Sequence, residues 1–108
     1  MANTYKVLGQ SLPASTSATL YTVPAATETV VSTINATNVG GSTATIKIAV
    51  RPNGATIENK HYLVFGLQLP TASVFTYTAG ITLDATDVIT VESNTNDVAF
   101  NAFGSEIA

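Results

Sequence analysis

Residues Thr45-Ile46-Lys47-Ile48-Ala49-Val50-Arg51 alternate strictly, with Ile46, Ile48 and Val50 on one side and polar or small residues on the other. A period of two is the signature of a β-strand with one face buried. The same grammar recurs along the chain. Strand patterns are expected at Thr4–Leu8, Leu20–Val23, Glu28–Asn38, Thr43–Arg51, a run beginning at His61, Val74–Thr78, Ile81–Leu83, Val88–Val91 and Val98–Phe103. Turn signals separate them roughly every ten residues, which predicts an antiparallel β-sandwich, jelly-roll-like, of about seven to nine short strands. No pattern supports a helix of three turns. The 108 residues suffice for one domain spanning 1–108 with one core.

Several local expectations follow. Val39-Gly40-Gly41-Ser42 reads as a glycine hairpin turn joining the two strands beside it. Pro52-Asn53-Gly54 reads as a turn in which proline presets φ and glycine accepts φ > 0. Ile57–Lys60 is compatible with one helical turn, and Gly66 marks a bulge. Residues 1–17 form an arm that packs on this domain or on a neighbour, or else a loose terminus. The expected core comprises Leu20, Val23, Val30, Ile34, Ile46, Ile48, Val50, Val64, Phe75, Tyr77, Ile81, Leu83, Ile89, Val91 and Phe100.

The run His61 to Leu69 is apolar on both sides. His61, Leu63, Phe65, Leu67 and Leu69 alternate on one face, with Tyr62 and Val64 on the other. A sandwich strand needs one inward face, so the surplus face implies a central strand, cover by the N-terminal arm, or burial against another chain. Those five residues are the candidate interface, and self-association is expected there.

The chemistry available is sparse. Charged residues make up 10% of the chain, cysteine and tryptophan are absent, and His61 is the only histidine. No serine sits in a nucleophile elbow, so catalytic residues are not expected. Asp84, Asp87, Glu92 and Asp97 are close in sequence but lack the spacing and glycine of a calcium-binding helix-loop-helix. Asp84 and Asp87 are better suited to bonding their own turn. Gly40-Gly41-Ser42 lacks the lysine and helix of a phosphate-binding loop. No cofactor or metal is expected. Lys6, Lys47, Arg51 and Lys60 are scattered and the net charge is −3, so neither nucleic acid nor an anionic membrane is an expected partner. A run of about 18 apolar residues, as a membrane helix needs, is absent. Met1–Lys6 lacks a cationic region leading into an apolar one, so no secretion signal is expected. Carbohydrate binding is the main alternative. Its candidate residues are Tyr5, Tyr21, Asn53, Asn94, Asn96 and Asp97.

Seven segments carry a further resemblance: Leu20–Thr27, Val30–Ile34, Asn38–Gly40, Ile48–Pro52, Asn59–Tyr62, Ile81–Asp87 and Phe100–Ile107. Together they resemble small virion structural proteins of tailed bacteriophages, especially those infecting cyanobacteria and other aquatic bacteria. The resemblance covers most of the chain from about Thr19 onward. It implies a non-enzymatic particle component, assembled in the host cytoplasm. Such a component is a tail or tail-fibre-associated protein or a head decoration (cement) protein. Its implied partners are capsid or tail subunits and further copies of itself, with a host surface glycan as the partner in the alternative of a receptor-binding module at a tail tip. It carries no catalytic residues.

Overall fold

The computed structural model describes residues 3–108. They form nine strands: β1 (Asn3–Ser11), β2 (Ser17–Thr22), β3 (Glu28–Asn38), β4 (Ala44–Arg51), β5 (Tyr62–Leu69), β6 (Val74–Tyr77), β7 (Ile81–Leu83), β8 (Val88–Ser93) and β9 (Val98–Ile107). Two short 3₁₀ turns, Pro52–Gly54 and Asn59–His61, lie between β4 and β5. No helix among the described residues is long and apolar enough to cross a membrane.

All pairings are antiparallel, in two sheets. Sheet A has the order β1-β9-β3-β6, and β7 pairs with β3 alongside β6. Sheet B has the order β2-β8-β4-β5. The pairs are nested: β1 with β9, β2 with β8, β3 with β6 and β7, and β4 with β5. The chain is one long hairpin whose tip is β4–β5, rolled so that successive pairs alternate between sheets. This is a jelly roll.

Rolling changes what the turns do. The glycine turn at Val39–Ser42 is not a hairpin, because β3 belongs to sheet A and β4 to sheet B. Asn38, 1% exposed, holds this crossing. Its Nδ2 donates to the carbonyls of Ser42 and Leu69, and its Oδ1 accepts from the Gly40 N–H. The Asp84–Asp87 and Asn94–Asp97 turns also cross between sheets. Pro52–Gly54 turns as expected, with Asn53 and Gly54 both at positive φ.

Residues 3–11 are the edge strand of sheet A rather than a loose or separate arm; Met1 and Ala2, which complete the expected arm, lie outside the described residues. The register shifts beside Leu8 in β1 and beside Leu20 in β2. Each extra residue turns its leucine inward, and both are buried. There β1 meets β2 and one side of the sandwich closes.

Phe100, Ile34, Ile46, Ile48, Ile89, Val91 and Val98 are fully buried between the sheets. Val50, Phe75, Tyr77 and Ile81 pack against this core at its margins. Val30 is a correction. Ser32 is an extra residue opposite Phe103 and Gly104, so the alternation of β3 inverts. Val31 is buried at 1% exposure and Val30 faces out at 38%.

One polar cluster ties the sheets at the margin of the core. The Tyr21 hydroxyl donates to Glu106 Oε2 at 2.5 Å and lies 2.8 Å from Thr29 Oγ1. Lys6 Nζ sits 3.3 Å from the other Glu106 oxygen. Burial, and then the bond to Glu106, push the Tyr21 hydroxyl up to about 12. The bond from Tyr21 is the main cause holding Glu106 below its ordinary value, against a smaller opposing effect of burial. An unfolded tyrosine ionises near pH 10. Stability from Tyr21 is therefore complete below about pH 10 and is lost as pH rises toward 12. That from Glu106 is complete above the ordinary carboxylate value and fades as pH falls through its lowered one. Tyr21→Phe should cost about 1–3 kcal/mol near neutral pH, because Thr29 loses its buried partner. Urea titrations of both proteins should show the gap shrinking between pH 10 and 12. A gap constant across that range would place the Tyr21 hydroxyl in water.

Candidate interaction surface

β5 is the outer strand of sheet B, and two irregularities set its side-chain directions. Gly66, at φ +75°, is skipped where Ile46 pairs with Leu67 and Lys47 with Phe65. The expected bulge is present. Leu63 is skipped in the same way between the Ile48–Val64 and Ala49–Tyr62 pairs. Each bulge advances the chain one residue without advancing the ladder, so the faces exchange.

The five candidate interface residues therefore do not share a face. His61 is buried in the turn before β5, where its Nδ1 accepts from the Glu58 N–H at 2.9 Å. Leu69 is a core residue and Leu67 packs against the core. Leu63 and Phe65 face solvent, at 39% and 63% exposure. The surplus apolar stripe is thus shorter than the alternation predicts.

The bulges assemble something else. Tyr62, expected on the face opposite Phe65, lies beside it, with ring centroids 4.8 Å apart and planes at 73°. This edge-to-face geometry is the favourable one for two aromatic quadrupoles. Lys47 Nζ lies 4.6 Å from the Phe65 centroid and 5.9 Å from that of Tyr62. Glu92, next in the same row across the sheet, holds Lys47 from the other side at 3.9 Å. A shallow depression lined by Asn59, Tyr62 and Phe65 adjoins the pair. Two bulges and a two-residue offset carry this site, and only Gly66 gave a sign of them in the sequence.

This surface is backed by paired strands. Behind Phe65, β4 is paired on both sides by β5 and β8. Ala49 and Thr90 are buried although they share the outer face with Lys47 and Glu92. Arg51 bonds Thr90 Oγ1 and the Ala55 carbonyl, fastening the 52–61 connection over that face.

Of the residues considered for a sugar site, Asn94, Asn96 and Asp97 share the turn between β8 and β9, and Tyr5, Tyr21 and Asn53 lie elsewhere. Tyr21 is buried between the sheets. Asn53 is fastened to Thr86 and Asp87 before β8, whereas Asn94 bonds the Thr45 N–H beyond its other end. Asn96 bonds Ser15, and Tyr5 stands alone on β1 at 81% exposure. Asp84 and Asp87 bond turn N–H groups, as their spacing suggests. Among the described residues, no group of three or more His, Cys, Asp or Glu side chains is placed to hold a metal ion. No protein family, curated protein or solved structure matches this chain.

Proposed function

We propose that this chain is a non-enzymatic structural module of a tailed-phage particle, displayed on the virion surface as a head decoration (cement) protein or a tail or neck appendage. The observation that carries the docking part is the exposed Phe65, met edge-on by Tyr62 and roofed by Lys47 on the outer strand of sheet B. Aromatic anchors rimmed by charged groups are the chemistry of protein interface centres. The partner is a neighbouring virion subunit, which excludes water from the two rings. The particle assignment rests on the sequence resemblance, and the jelly roll is compatible with it, since capsid and lectin domains both use that fold. The mechanism is passive: apolar surface is buried against a neighbour, and the particle is stabilised or extended.

The experiment is localisation. Antibody raised against the purified protein should decorate intact particles of the phage that encodes it, at one repeated position on head, neck or tail. Particles free of label, with the protein found only in lysate, would overturn the assignment.

A further inference from the structure

The sheet edges are not guarded alike. β5 carries two bulges, β2 carries one, and β6 and β7 have only four and three residues. Bulges and short strands are how sheets discourage pairing with other chains. β1 differs. Its second half is closed by β2, because Gly9 lies so close to the Leu20 carbonyl that a Cβ there would overlap it. Its first half, Asn3–Val7, runs in unbroken register against Ile107–Phe103, with no proline and no bulge. That half-strand ends sheet A.

Its outward face carries two exposed apolar side chains beside the exposed Asn3. Tyr5 is 81% exposed and Val7 47%. The register puts Tyr5 in one row with Ser105 and Val30, and Val7 beside Phe103. The only charge on the half-strand, Lys6, is already paired with Glu106 at 3.3 Å.

We propose that Asn3–Val7 is a homotypic docking edge: the same segment of a second copy pairs with it antiparallel, across a two-fold axis at Tyr5. An open edge offers backbone donors and acceptors at strand spacing, which only another extended backbone can match. Three features select a copy of this chain as the occupant. Antiparallel pairing about a two-fold axis is self-complementary by symmetry. With the axis at Tyr5, Tyr5 faces Tyr5, Asn3 faces Val7 and Thr4 faces Lys6, so the two exposed tyrosine rings meet and no lysine opposes a lysine. The Lys6–Glu106 pair leaves the edge electrically balanced, with nothing to select an acidic or basic foreign strand. The pairing does not rest on the particle assignment, since it concerns the isolated protein.

The chain has no cysteine, so one introduced thiol is a clean reporter. Residues directly opposite in an antiparallel pair have Cβ atoms about 4.5–5.5 Å apart, close enough to reach disulfide geometry with a small shift. Under mild oxidation at micromolar concentration, Tyr5→Cys should convert to a covalent dimer. Thr22→Cys, exposed on β2, should stay single. Light scattering should give wild type twice the 11.1 kDa of one chain. Tyr5→Asp should fall to a single chain with an unchanged thermal midpoint. The proposal is overturned by a wild-type monomer at millimolar concentration, by a dimer that survives Tyr5→Asp, or by cross-linking of Tyr5→Cys no faster than the Thr22→Cys control.

Discussion

Phe100→Ala should lower the unfolding free energy by about 3–5 kcal/mol, the range for deleting a buried aromatic ring. Phe100 is the largest fully buried side chain, 0% exposed on β9. β9 is held on both sides, by β1 and β3, so its backbone cannot move in to fill the space. Ala36, directly opposite on β3, is already small, and Ala102 follows on the same face. Neither can grow into a cavity, so the site stays open and the cost falls toward the upper end. Urea denaturation at neutral pH measures it. A loss below about 1 kcal/mol would mean that the two sheets do not enclose this ring.

Gly9→Val should be comparably severe, by a different route. A Cβ on Gly9 would stand 2.0 Å from the Leu20 carbonyl oxygen and 3.1 Å from its carbon. The obstacle is backbone in a bulged strand, so no rotamer change relieves it. Either β1 lifts from β2, exposing Leu8 and Leu20, or the β2–β8 pairing shifts. Either outcome should cost about 3 kcal/mol or more, above ordinary overpacking because main chain must move. Hydrogen exchange should show protection lost first in β1 and β2. Wild-type protection in both strands would contradict the side closure. Gly9 carries no mark in the sequence that separates it from a glycine in any loop.

The same contrast runs through the molecule. The strands from β2 onward were legible because period-two alternation survives locally, as in Ile46, Ile48 and Val50 or Val98, Phe100 and Ala102; β1 was legible only over Thr4–Leu8, against the alternative of an N-terminal arm or loose terminus. The pairing was not legible, because a crossing turn and a hairpin turn use the same residues. Gly40 and Gly41 suit either. What decides is Asn38, whose three bonds are made only after the roll has brought Ser42 and Leu69 to it. Face assignments failed where an extra residue inverts the phase. Ser32 exchanged Val30 for Val31, and Leu63 with Gly66 dispersed the expected His61–Leu69 stripe while bringing Tyr62 beside Phe65. Gly66 gave warning; Ser32 and Leu63 have ordinary strand side chains and gave none.

Docking of the module to the particle through the Tyr62–Phe65 surface, as proposed, is tested by incorporation of Phe65→Asp into particles assembled without the native protein, alongside wild type and with both thermal midpoints recorded. Phe65 is 63% exposed and its ring contributes little to the core, so the variant should melt within a few degrees of wild type. In the docked state the new carboxylate would be desolvated at the centre of a dry contact. Wild type should co-sediment with the particles and the folded variant should remain in the supernatant. A folded Phe65→Asp protein that incorporates as well as wild type would contradict the claim.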